Sequence, residues 1–173
     1  RVGVGGGSIC STRIQTGHGI STFQSIVACG FVKRSARLIA DGGIKTSGDI
    51  VKAIAAGADM VMLGSLLAGT DESPGVIFEN ASGKKYKAYR GMASREAQVA
   101  WRGEARSLEG IATTIPYKGP VADILGRLVL NIKSGFSYSG ARNQDELRKR
   151  CTFIQQSDSS RVESSTHILL KNE

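Results

Sequence analysis

Three stretches of this chain set polar side chains or free amides close beside glycine. "RVGVGGGSICST" at 1–12 follows three glycines with Ser8, Cys10 and Thr12. "IADGGI" at 39–44 puts Asp41 ahead of Gly42 and Gly43, and "MLGSLLAG" at 62–69 presents Gly64 and Ser65. A thiol on a glycine loop, exposed and near backbone dipoles, has the setting that favours thiolate and nucleophilic attack on an electron-poor carbon. A buried, inert cysteine is the alternative reading of the same residue. A carboxylate at the end of a buried strand can accept hydrogen bonds from a sugar diol, or simply cap the next turn. Glycines beside it let a phosphate approach backbone N–H groups. The amides of Gly64 and Ser65, read as the start of a helix, form an anion site. Together the second and third stretches could hold one ribose monophosphate.

These residues need elements to place them. Val2 to Val4 reads as a short buried strand, and a helix is expected near Ser21 to Val32 with Ser21 as N-cap. "ARLIADGGI" (36–44) reads as an apolar strand. Ser47 caps a helix over 48–57 that Gly57 stops, and "ADMVMLGSLLAG" (58–69) reads as a strand that turns at Gly64-Ser65 into another helix. Strand, glycine loop and helix thus recur through the first seventy residues, which argues for α/β architecture with a parallel sheet. Strands apolar throughout are expected where both faces are covered. A (β/α)8 TIM barrel or a doubly wound sheet would suit. In a barrel the three polar clusters stand at the C-terminal ends of strands, where active sites form.

The character changes at 70–90, where alternating Tyr86, Ala88 and Arg90 suggest a β-hairpin. Residues 91–110 read as a mobile loop or partly helical flap, with Trp101 packing it down. Ile124, Leu125, Leu128, Val129 and Ile132 have helical spacing within 121–140. The tail from Thr152 reads as irregular.

The chain has 173 residues, is 40% hydrophobic and carries a net charge of +8. A buried core follows, and disorder throughout is excluded. The charge suits a soluble basic surface or attraction of an anionic ligand. No basic tract interleaved with aromatics and no zinc-finger spacing points to nucleic acid. No apolar run suits a membrane helix, which takes ~20 residues. Cys10, Cys29 and Cys151 are odd in number and match no metal motif, which fits a reducing, cytoplasmic compartment. Cys29, on an apolar helix, and Cys151 read as structural, and neither His18 nor His167 has a catalytic role. The abrupt start before a strand suggests that an upstream part is missing.

Taken in order, "RVGVGGGSICST", "ADGGIKTSGDIVKAIAAGADMVMLGSLLAGTDESPG", "KKYKAYRGMAS" and "EGIATTIPYKGPV" resemble the IMP dehydrogenase/GMP reductase family along essentially the whole chain. The resemblance implies the C-terminal part of a single (β/α)8 catalytic barrel over 1–173: about the last three β/α units, with a hairpin and flap at about 70–118. It implies that Cys10 attacks purine C2 beside the Thr12 hydroxyl, and that Glu109 contacts the base. Ser8, Gly43, Gly64, Ser65 and Tyr89 would bind phosphate, Asp41 the ribose, and the backbone of Gly91, Met92 and Ala93 the purine. The family usually has Gly or Ser where Ala93 stands. K⁺ would sit on the carbonyls of Gly5, Gly7 and Cys10, with Glu163, Ser164 and Ser165 of a neighbouring subunit. Implied partners are a purine nucleoside monophosphate (GMP or IMP), NADPH or NAD, and further copies in a homotetramer.

Two branches share the chemistry of a cysteine adduct at C2 and a nicotinamide hydride. The dehydrogenases carry an adjacent Arg-Tyr pair on a long flap, where the Arg helps to activate water. Here 93–108 contain Arg95, Arg102 and Arg106 but no Arg-Tyr dipeptide, and "GEARSLEG" resembles the reductase flap. GMP reductase is therefore the expected branch. IMP dehydrogenase is the alternative, on the strength of the tail "RVESSTHI", the long "ADGGIK" stretch and Arg102 as a substitute base. An inactive purine-nucleotide-binding module is a third reading, and this length of chain alone is expected to lack activity.

Overall fold

The computed structural model describes residues 1–32, 35–106 and 109–166. Its parallel part begins with Val2, which bridges Ala40, so the expected strand at Val2–Val4 is a single rung and Val4 is exposed. α1 (Thr12–Thr16) and α2 (Thr22–Val32) lead to β1 (Ile39–Asp41), α3 (Ser47–Ala55) and β2 (Met60–Met62). β1 and β2 pair in parallel, Asp41 opposite Met62. The register sets Asp41 and the Gly64 turn side by side at the same end of adjacent strands.

α3 is amphipathic and buries Ile50, Ala53, Ile54 and Ala55. Its N-cap is Thr46 rather than Ser47: the Thr46 hydroxyl accepts from Asp49 N–H, while the Asp49 carboxylate accepts from the Thr46 N–H. This reciprocal box satisfies two orphan donors, and such a cap contributes about 1 kcal/mol. The core continues through Ile26, Leu38, Ala40, Ala58 and Leu147. Within it Asp59 is buried yet partnered, accepting from Leu38 N–H at 2.8 Å and Arg148 Nη2 at 3.1 Å. The other expected covering of the sheet is not there: Met60 and Met62 of β2 are 50% and 40% exposed. Three parallel segments do not close a barrel, and among the described residues no strand pairs with β2 on the side away from β1.

The second part is antiparallel. β3 (Ile77–Glu79) and β4 (Lys85–Arg90) form the expected hairpin, and β5 (Ala112–Pro116) adds on the other side of β4. Between β4 and β5 lies α4 (Arg95–Arg102), the helical part of the flap, capped by Ser94 and stopped by Gly103 in the left-handed region. α5 (Val121–Tyr138) packs on α3, with Leu128 and Ile132 against the core; Ile124 is also buried, while Leu125 and Val129 are exposed. α6 (Gln144–Arg150) packs on α3 and closes the core with Leu147. α7 (Asp158–Glu163) forms within the tail read as irregular, capped by Ser157. No helix among the described residues is long and apolar enough to cross a membrane.

Candidate active site

The glycine loop at 5–12 is held from two sides. Gly42 adopts φ 94°, and a Cβ there would stand 2.7 Å from the Gly6 carbonyl carbon. The two glycine turns therefore meet backbone to backbone, which a side chain would prevent. On the other side, Cys10 bridges Gly110 in antiparallel fashion. Ser11 N–H donates to Glu109 O at 2.9 Å, and Ile111 N–H to Ile9 O at 3.1 Å. Gly110 is tight as well: a Cβ would lie 2.9 Å from Ser94 N. Cys10 thus sits at the seam between the parallel part and the flap.

Its sulfur is half-buried and 3.2 Å from the Thr12 hydroxyl. Cys10, Ser8, Tyr89, Gly91–Ala93 and Glu109 line one cavity of about 230 Å³. Gly91 N–H donates to Ile111 O at 3.1 Å, and Ser94 N–H to Gly91 O at 3.0 Å, which fixes the backbone of the cavity wall. Met92, 77% exposed, stands at the rim. The Tyr89 hydroxyl is 3.5 Å from Ser8 Oγ, at the limit of a hydrogen bond. It also faces Gly64, where a Cβ would lie 3.7 Å away. One hydroxyl therefore brings the first and third sequence clusters together.

Asp41 and Gly43 stand one strand end over, joined to the cysteine loop through the Gly6–Gly42 contact. The Asp41 carboxylate pairs with Arg1 Nε at 3.1 Å, a partner absent from the sequence reading. Both groups are partly exposed, and such pairs contribute little, about 0–1 kcal/mol, so a ligand hydroxyl can compete.

After Ser65 the expected helix is replaced by a run of turns. Leu67 and Ala68 N–H both donate to Gly64 O at 3.0 Å. Lys118 Nζ donates to Ser65 O at 2.6 Å and Leu66 O at 3.1 Å, and burial holds its pKa below the ordinary lysine value. Neither Lys118 nor Gly110 was singled out from the sequence. The "YKG" and "EGI" stretches that hold them were visible only as motif text.

The remaining candidates are dispersed. The Gly7 carbonyl accepts from Cys10 N–H at 3.1 Å, and Gly5 has φ 70°. Glu163 ends α7, and the backbone N–H groups of Ser164 and Ser165 donate back into that helix at 3.0 and 3.1 Å. Trp101 does not pack the flap down: it is 69% exposed, with the Arg102 guanidinium stacked 4.3 Å over its ring. Cys29 and Cys151 pack against the core, and all three cysteines are free. His18 Nδ1 lies 2.7 Å from the Thr16 carbonyl of its own turn; His167 is outside the described residues.

Residues 1–167 match the model of the IMP dehydrogenase / GMP reductase domain. The chain is 43% identical to a GMP reductase of Leishmania major, over 99% of this chain and 37% of that protein. It is 41% identical to an inosine-5'-monophosphate dehydrogenase of Nitrosopumilus maritimus, over 98% and 38%. It also superposes on the crystal structure of a Trypanosoma brucei GMP reductase, a cysteine-to-alanine variant in complex with guanosine 5'-monophosphate. That match has a TM-score of 0.89 at 44% identity and covers 95% of this chain and 35% of the other. The chain spans little more than a third of the relatives it matches.

Proposed function

The chain belongs to the IMP dehydrogenase/GMP reductase domain family, and from that premise we propose that its protein is a purine-nucleotide oxidoreductase acting at purine C2 through Cys10. Its parallel β/α units are the C-terminal portion of a (β/α)8 barrel. Residues 1–173 act as part of one catalytic unit, with 70–118 as its hairpin and flap. The observation that carries the proposal is the shared cavity of Cys10, Gly91–Ala93 and Glu109, adjoined by the Ser8–Tyr89–Gly64 cluster.

In the reductase direction the Cys10 thiolate adds to C2 of GMP. Ammonia leaves with the C2–N electron pair, and the Thr12 hydroxyl, 3.2 Å from the sulfur, is placed to pass a proton to it. Hydride then arrives at C2 and the thiolate departs, giving IMP. Glu109 and the backbone of Gly91, Met92 and Ala93 hold the purine against the sulfur. Asp41 holds the ribose, and Ser8, Gly43, Gly64, Ser65 and Tyr89 hold the phosphate. The value of this framework lies in orientation, since it turns a bimolecular attack into a near-intramolecular one. Bound NADPH or NAD would supply or accept the hydride. The exposed Met92 side leaves the cavity open for a second ring.

The carbonyls of Gly5, Gly7 and Cys10 suit K⁺. They are neutral oxygen donors within one short loop of sequence, and Gly7 O keeps a lone pair after accepting from Cys10 N–H. Glu163, Ser164 and Ser165 would complete that site across a homotetramer. Three free cysteines fit a cytoplasmic location.

GMP reductase is the branch we favour, because the flap lacks an Arg-Tyr pair and its Arg102 is stacked on Trp101. The IMP dehydrogenase reading rests on Arg102 as a stand-in base and on relatives of equal similarity. Assays of the full-length protein separate them. NADPH consumption with GMP is the expected result. Rapid NADH formation from IMP with no activity on GMP would contradict it. Nucleotide binding without hydride transfer from or to either cofactor would leave a binding module.

A further inference from the structure

The turn after β2 carries the proposed phosphate contacts, yet nothing regular holds it. Its shape comes from the segment that follows β5. Lys118 N–H donates to Gly69 O at 2.9 Å, and Asp71 N–H donates to Gly119 O at 3.0 Å. The Lys118 side chain then reaches back to the carbonyls of Ser65 and Leu66. In a trans peptide the N–H points opposite to the C=O. Gly64 O is engaged by Leu67 and Ala68, and Ser65 O by Lys118. The amides paired with those carbonyls, Ser65 N–H and Leu66 N–H, therefore face the other way. An uncharged side chain at 118 would leave the Ser65 peptide free to rotate. The ammonium also stays partly desolvated at this spot, a cost that its two carbonyl contacts offset.

We propose that Lys118 is a positioning residue for the nucleotide 5′-phosphate: by gripping the Ser65 carbonyl it aims the Leu66 amide of the same peptide at the anion, beside the Ser65 amide whose own peptide is held through Gly64 O by Leu67 and Ala68. This rests on the reading of Gly64 and Ser65 as phosphate ligands. A second lysine gives the internal contrast. Lys87, 3% exposed on β4, donates to Thr70 O at 2.8 Å and Ser73 O at 2.5 Å. It staples the same segment farther along, away from the proposed phosphate amides, so its role is structural.

The test is calorimetric binding of GMP and guanosine to the full-length protein. Wild type binds GMP more tightly than guanosine. Lys118→Met should narrow that preference about 10-fold, the loss of one charge-assisted interaction. Guanosine affinity and kcat should change little. Lys118→Arg should restore most of the preference, since a guanidinium can donate to both carbonyls. Lys87→Met should lower the melting temperature and keep the preference. Lys118→Gln, which retains a donor without the charge, should narrow the preference as well and serves if Lys118→Met does not fold. A full GMP preference in both neutral variants overturns the proposal. No preference in wild type would overturn the phosphate reading itself, and the positioning role with it.

Discussion

The parallel part and the antiparallel part of this molecule divide the site between them. The parallel part carries the groups proposed to react with or anchor the ligand: Cys10 and Thr12 on one strand end, Asp41 on the next, Gly64 and Ser65 on the third. The antiparallel part carries the groups proposed to orient it: Tyr89, the backbone of Gly91–Ala93, and the strand that leads into Lys118. The seam between them is backbone pairing of Cys10 with Gly110. Local glycine turns shape the loop that carries the thiol, but contacts distant in sequence, from Gly42 and Gly110, fix where it stands.

The largest expected effect breaks the parallel side alone. Cys10→Ser should lower turnover of the full-length protein at least 10³-fold, while purine monophosphate binding measured by calorimetry stays within a few-fold. Gly110→Val attacks the seam instead. Its Cβ would meet Ser94 N at 2.9 Å, so both catalysis and stability should fall, the latter by about 1–3 kcal/mol in denaturant unfolding. Leu147→Ala removes a fully buried side chain from the parallel part's core and should cost about 2–5 kcal/mol. Its GMP preference over guanosine should be preserved, since the core carries no ligand contact. Tyr89→Phe sharpens the comparison from the orienting side. The KM for nucleotide should rise about 3–10-fold with kcat nearly unchanged, as one hydrogen bond to Ser8 is lost. Thr46→Ala, which removes a helix cap, should cost only about 1 kcal/mol in thermal unfolding.

The same division explains what the sequence made legible. Glycine runs and apolar strands are short-range signals, so β1, α3 and the ends of their turns could be read directly. Thr46 was missed beside Ser47 because both are good caps; only the reciprocal bond with Asp49 chooses between them. The helix expected after Ser65 does not form because its residues make successive turns, held by Lys118 from just after β5 and, farther along, by Lys87 of β4. β5 was unreadable for a related reason, since "ATTIP" becomes a strand only by pairing with β4. The half-exposed methionines of β2 show the limit of a hydrophobicity rule. An apolar strand tells that both faces are meant to be covered, not that this stretch of chain supplies the cover. Within the site, the residue types of the glycine loops marked Cys10, Asp41, Gly43, Gly64 and Ser65 and the motif resemblance added their roles, while Gly110 and Lys118 stand out only where distant segments lie side by side.

Peptide mass spectrometry of the full-length protein, quenched during steady turnover with GMP and NADPH and separately with IMP and NAD⁺, asks the question most directly. A nucleotide adduct on the peptide containing Cys10, absent from those containing Cys29 and Cys151, is the predicted result. Sustained turnover with no adduct on Cys10, or an adduct on another cysteine, would contradict it.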